Sequence, residues 1–175
     1  MSPSQFKQDK HKLLAIPGPI EVTDEVLEAI SKPPISHVGP EFVTIFRESI
    51  FMTREVLFTQ NGQVFIIAGS GTLGWDQVAA NLVEPGEAVL VLHTGYFGDS
   101  FRDCLQTYGA NVDEVKAEIG AGVDVAALEA ALRRRSYKAV TFTHVDTSTG
   151  VLSDAKVRSA SDGSYPQSRG GVGSI

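Results

Sequence analysis

The chain has 175 residues, 42% hydrophobic and 21% charged, the balance of a single globular domain able to bury a sizeable core. Its 15 basic residues against 21 acidic ones give a net charge of -6, which argues against a nucleic acid or an anionic membrane as partner. The one cysteine, Cys104, excludes an intrachain disulfide and a cysteine metal site. The opening "MSPSQFKQDKHK" has no apolar core of a secretory signal and no arginine of a mitochondrial presequence, and the ending "VGSI" is not a peroxisomal signal. No run is long and apolar enough to span a bilayer, so a cytoplasmic location is the default expectation.

Residues 1–22 read as an extended N-terminal arm, with "LLAIPGPIEV" broken by Pro17, Gly18 and Pro19. Thr23 is placed to cap a short helix carrying Asp24 and Glu25 in its first turn and stopped by Pro33 and Pro34. A second helix starts near Pro40, with Phe42, Ile45, Phe46, Ile50, Val56 and Leu57 as its expected buried stripe. After a turn at Asn61-Gly62 a rhythm sets in. "VFIIA" predicts a strand, Thr72–Val83 a helix, "AVLVL" a fully buried strand, and Gly98–Tyr108 a helix closed by Gly109 in a left-handed cap. "NVDEVKA" is a weaker strand, Asp124 caps a helix over "VAALEAALRRR", and "KAVTFT" is another strand. Alternating helices and near-continuous apolar strands imply an α/β three-layer sandwich with a mostly parallel sheet, over residues 23–156. From 157 to 175 the chain turns to Ser, Gly and Arg without apolar period, a composition that predicts disorder.

"GSGTLG", Gly69 to Gly74, matches the dinucleotide pattern G-x-G-x-x-G between a predicted strand and a helix. That fingerprint also needs an acid at the end of the next strand, where His93 and Thr94 stand instead. No Gly-Lys-Ser/Thr follows, so it is not a Walker loop. Two readings remain. The turn cradles one phosphate with the amides of Gly71 and Thr72 and the hydroxyls of Ser70 and Thr72, or it is a glycine-rich turn without a ligand. Two further loops follow parallel strands and share the carboxyl edge of the sheet, where ligands of α/β folds bind. "HTGYFGDSF" offers the aromatics Tyr96 and Phe97, and "THVDTSTG" a cluster of hydroxyls. A phosphate cradle, a flat aromatic and a hydroxyl cluster describe a pyridoxal phosphate site better than a nucleotide site.

These stretches resemble the class V (fold type I) pyridoxal-phosphate aminotransferases, in particular the alanine–glyoxylate and serine–glyoxylate group. The resemblance runs from about Leu13 to Lys156 through "IPGPIEV", "SHVGPEF", "AGSGTLGWD", "NLVEPGE", "HTGYFGDS" (with His93 where the family carries Asn) and "THVDTSTGVLSD". It implies the large domain of a fold type I enzyme, pyridoxal 5'-phosphate as cofactor and a homodimer. It also implies amino transfer from alanine or serine to glyoxylate or pyruvate. By the same resemblance Ser70, Gly71 and Thr72 hold the phosphate, Phe97 stacks on the pyridine ring, Thr147 contacts the 3-oxygen region, and Gly18 lines the substrate carboxylate pocket. Some members of the family are peroxisomal or mitochondrial.

The resemblance also implies what these residues do not supply. The family's Schiff-base lysine, its carboxylate on the pyridine nitrogen and its substrate-binding arginine all lie beyond the "THVDTSTG" loop. None of Lys7, Lys10, Lys12, Lys32, Lys116, Lys138 and Lys156 falls on the Schiff-base position. The chain therefore reads as the front half of such an enzyme, inactive alone and without a catalytic residue of its own. The competing reading is a non-catalytic fragment that at most joins a full-length subunit, and a dinucleotide module is the weaker third. Single residues add little. His37, His93 and His144 lack metal-ligand spacing, so no metal site is expected. His144 and Asp146 read as loop hydrogen-bonding groups rather than an acid–base pair. Trp75 reads as a packing residue, with the rim of a substrate channel as its second reading. Arg133, Arg134 and Arg135 form a solvated helix end.

Overall fold

The computed structural model describes residues 6–154. The chain divides into two units, Met1–Ala68 and Gly69–Ile175. The expected disorder of 157–175 falls outside the described residues.

In the first unit α1 spans Asp24–Ile30 and α2 spans Pro40–Val56. Thr23 occupies the N-cap position of α1 in extended conformation, but its side chain caps nothing. Gln8 fastens the arm there instead, donating from its backbone N to Asp24 Oδ1 (3.1 Å) and from Nε2 to the Val22 carbonyl (2.8 Å). Pro40 opens α2 as expected. The expected burial of its stripe is overturned: no residue of α2 is buried, and Ile45, Phe46, Val56 and Leu57 are exposed. Phe42 and Phe46 stack on one another, ring centroids 5.5 Å apart. The 3.6-residue period makes an apolar face; burial needs a second surface against it, and none covers this one among the described residues. The strand expected at "VFIIA" is overturned for the same reason. No ladder forms over 64–68, and Phe65, Ile66 and Ile67 are exposed.

The second unit carries the rhythm. The helix α3 spans Gly71–Leu82, β1 Ala88–His93, α4 Tyr96–Thr107, β2 Asn111–Lys116, α5 Val125–Arg134 and β3 Ala139–Phe142. The strands form a parallel sheet in the order β2-β1-β3, with Leu90 beside Asp113 and Val140. Val89 through Leu92 are all buried, as a central strand covered on both faces requires. Val89 and Val91 face α3 and α4, packing with Ala79, Phe101 and Leu105. Leu90 and Leu92 face α5, packing with Val123, Leu128 and Ala131. The result is the expected three-layer α/β sandwich. Asp124 caps α5 by accepting from the Ala126 N–H at 3.2 Å. Gly109 closes α4 with φ +88°, and a Cβ there would press on Pro85 at 3.1 Å. An element absent from the sequence reading is a short antiparallel hairpin, β4 (Val145–Asp146) and β5 (Val151–Leu152), formed by the "THVDTSTGVL" stretch.

Candidate functional site at the carboxyl edge of the sheet

The loops after β1 and β3 both leave the carboxyl edge of the parallel sheet. Ser70 is the N-cap of α3, with Gly71 and Thr72 its first two residues. The Ser70 and Thr72 hydroxyls meet at 2.7 Å. No side chain caps this helix and no acid stands in its first turn, so the positive end of α3 is open to an anion. Nothing lies within 4 Å of where a Gly71 Cβ would be, which leaves room for a group to approach the backbone.

Phe97 sits in the first turn of α4 and meets Trp75 of α3 edge-on, centroids 6.0 Å apart. Trp75 in turn stacks on Phe101 at 5.3 Å, anchoring the aromatic row in the core. Trp75 is thus a packing residue that also backs Phe97. Thr147 is exposed in the turn between β4 and β5, and its hydroxyl has no hydrogen-bond partner among the described residues. Gly18 belongs to the first unit, exposed, with φ +111°.

Asp146 is the loop hydrogen-bonding group expected from the sequence, but the residues it joins were not foreseen. Thr94 and Asp146 are buried, and Asp146 takes bonds from Thr94 and Ser148. The hydroxyl richness of "THVDTSTG" and the carboxyl edge it shares with "HTGYFGDSF" were the available signals; the pairing of individual residues was not readable. His144 contributes its carbonyl, which accepts from the Ser153 N–H at 2.7 Å.

A charged cluster flanks the end of β1. His93 Nε2 approaches Asp99 Oδ1 at 2.9 Å, off the axis a hydrogen bond needs. Arg102 reaches Asp99 at 2.8 Å and Glu114 at 3.2 Å, and Lys116 reaches Asp99 at 3.6 Å. Desolvation works against the Asp99 charge, yet the contact with His93 and the charges of Lys116 and Arg102 hold its carboxyl below the ordinary 3.8. His93, Asp99 and Glu114 bring ligand-type atoms within 4.8 Å of one another. Arg102 and Lys116 stand among them, so protein cations already neutralise the acids. On the outer side, Asp76 accepts from Tyr108 Oη at 3.1 Å and Cys104 Sγ at 3.7 Å. Burial, and then the neighbouring Asp76, push the Cys104 thiol up to about 11.

No family model matches the chain. It is 47% identical over 150 residues to alanine–glyoxylate aminotransferase 1 of Saccharomyces cerevisiae, a match covering 82% of this chain and 39% of that relative. It is 32% identical over 145 residues to the (S)-ureidoglycine–glyoxylate transaminase of Bacillus subtilis. Among solved structures it superposes on an alanine–glyoxylate aminotransferase from Nostoc sp. with a TM-score of 0.81 at 29% identity, covering 93% of this chain and 42% of that one. The chain belongs to the class V aminotransferase family. It spans about two fifths of the length of the aminotransferases it matches. Its sandwich is that of the fold type I aminotransferases; of the stretches quoted above, "AGSGTLGWD" holds the start of α3, and "HTGYFGDS" and "THVDTSTG" follow β1 and β3 at the carboxyl edge. Among the described residues no helix is long and apolar enough to cross a membrane.

Proposed function

We propose that the second unit binds pyridoxal 5'-phosphate and serves transamination between alanine or serine and glyoxylate or pyruvate as part of a larger, homodimeric assembly. The observation that carries this reading is the start of α3: an uncapped, acid-free helix N-terminus with two hydroxyls and open space over Gly71. These features fit a phosphate monoester. Ser70 and Thr72 donate to its oxygens, and the Gly71 and Thr72 amides complete the cradle. Phe97, backed by Trp75, offers a fixed aromatic face for a flat ring. The exposed Thr147 hydroxyl is available to a polar substituent of that ring. Gly18 is assigned to the substrate carboxylate. When bound, the cofactor supplies an electron sink that makes the α-proton of an amino acid removable.

For the 175 residues alone, the reading is binding without turnover. Lys116 is held by Asp99 and Glu114, and Lys138 pairs with Glu87 at the amino end of β1, so neither is free to serve as the family's Schiff-base lysine. The chain thus acts as a cofactor-binding fragment that needs a longer subunit for catalysis. A dinucleotide is not favoured. Asp99, near the end of β1, is engaged by three basic side chains, and Glu114 beside it is engaged by Arg102 and Lys116.

The test is a titration of the full chain with pyridoxal phosphate, followed by the absorbance of the cofactor, which serves the Trp75 variant equally. Weak reversible binding is expected, competed by inorganic phosphate and not by NAD. Gly71→Val should weaken it more than Trp75→Phe. Each lost charge-assisted bond costs about 1.5–3 kcal/mol. Displacement by NAD and not by phosphate would overturn the reading, and turnover of alanine with glyoxylate above free pyridoxal phosphate would overturn the fragment reading.

A further inference from the structure

The loop after β1 and the turn between β4 and β5 lie more than fifty residues apart in sequence, yet one carboxylate joins them. Asp146 is fully buried. Among the described residues no cation pairs with it. A buried carboxylate without a cation must be held by hydrogen bonds, and each of its oxygens is only an acceptor. Oδ1 accepts from Ser148 N at 3.0 Å and Ser148 Oγ at 2.6 Å. Oδ2 accepts from Thr94 Oγ1 at 3.4 Å.

The bond from Ser148 fixes the direction of its hydroxyl. With its proton given to Asp146, Ser148 Oγ turns a lone pair outward and accepts from the Tyr96 backbone N–H at 2.9 Å. Tyr96 is the first residue of α4, whose own N-cap is Gly95, so Ser148 caps the helix from another loop. Thr149 Oγ1 adds a bond to the Thr94 carbonyl at 3.0 Å. The approach is so close that a Cβ at Gly95 would fall 2.7 Å from Asp146 Oδ2 and against Ser148 Oγ.

We propose that Asp146 is a positioning residue that sets the Phe97 ring and the Thr147 hydroxyl relative to one another. Phe97 follows the capped Tyr96, and Thr147 lies between Asp146 and Ser148. The two groups therefore move only as far as the clamp allows. Asn keeps one acceptor oxygen for Ser148 and must turn its NH2 to Thr94, whose hydroxyl then accepts, so what the amide loses is the charge that strengthens the Ser148 bonds. The consequence for the cofactor rests on the reading of the preceding section; the clamp itself does not.

The experiment is amide hydrogen exchange on the full chain with Asp146→Asn, Ser148→Ala and Ser148→Thr, alongside pyridoxal phosphate titration. Hydrogen bonds to a charged group are strong enough that Asp146→Asn and Ser148→Ala should speed exchange at Tyr96 by about tenfold or more. Exchange at Val91 and Val115, in the β1–β2 ladder, should be unchanged. The affinity for pyridoxal phosphate should fall by a similar factor, and Ser148→Thr, which keeps the hydroxyl, should restore both. If Asp146→Asn does not fold, Ser148→Ala decides alone. Tyr96 exchange unchanged in Ser148→Ala overturns the clamp; ladder amides released together with Tyr96 also overturn it, since that is a general folding role. If the unaltered chain does not bind pyridoxal phosphate at all, the cofactor reading fails and the exchange data still judge the clamp.

Discussion

Two five-residue apolar runs, "VFIIA" at 64–68 and "AVLVL" at 88–92, have nearly the same composition and opposite fates. The second is a central strand with β2 on one side and β3 on the other, and Val89 to Leu92 are buried. The first has no ladder, and Phe65 is 76% exposed. A strand is a relation between segments, and only one of these runs has its partners among the described residues. The wider units repeat the contrast. Residues 6–68 contain no buried residue, whereas both faces of β1 pack against helices.

The contrast is sharpest where a side chain is removed. Leu90→Ala empties a fully buried site and should destabilise the second unit by about 2–5 kcal/mol in denaturant unfolding. Ile66→Ala should fall within about 0.5 kcal/mol. A large cost at Ile66 would mean that 64–68 is packed in solution and would break the comparison. Chemical reactivity gives the next effect. Cys104 is half-buried against the core, with a thiol raised from 9.0 to about 11. At pH 8 its thiolate fraction should be about 100-fold below that of an ordinary thiol, and alkylation should be slower in proportion. Asp76→Asn should recover part of that rate, since burial remains. Alkylation at the ordinary rate would show that this face of α4 is open. The smallest effect contrasts two helix starts. Asp124 caps α5 and Thr23 caps nothing. Asp124→Ala should cost about 1 kcal/mol, and Thr23→Ala should leave the thermal midpoint unchanged. Equal effects would erase the distinction.

The same contrast explains what was legible. Gly109, Asp124 and the run at 88–92 announce themselves through local chemistry, namely a left-handed cap, a side-chain cap and continuous apolarity. The α2 stripe and the 64–68 run were misread because period reports a face and not its cover. At the site, the start of α3 was legible as a helix start because its glycines and the Ser70 N-cap mark a turn into a helix by residue type. Asp146 was legible as a loop hydrogen-bonding group, but its bond from Thr94 and the bond from Tyr96 to Ser148 were not, since those partners lie in another loop. The hairpin of β4 and β5 was missed because strands of two residues carry no alternation.

The turn at Gly86 bears on how this architecture tolerates change. Gly86 donates from its N–H to the Gly109 carbonyl at 2.7 Å, and Asn111 donates to Glu87 at 2.8 Å. Both glycines hold left-handed backbone, with φ of +86° and +88°. The starts of β1 and β2 are therefore latched together at the amino edge. A slip by one residue would exchange the inward and outward sets of side chains along a strand, and this latch opposes it. With alignment secured there, the opposite edge is released from that duty. Loops after β1 and β3 can acquire insertions or new side chains without misaligning the ladder, so the sandwich separates the residues that keep its order from those through which a lineage can try new chemistry.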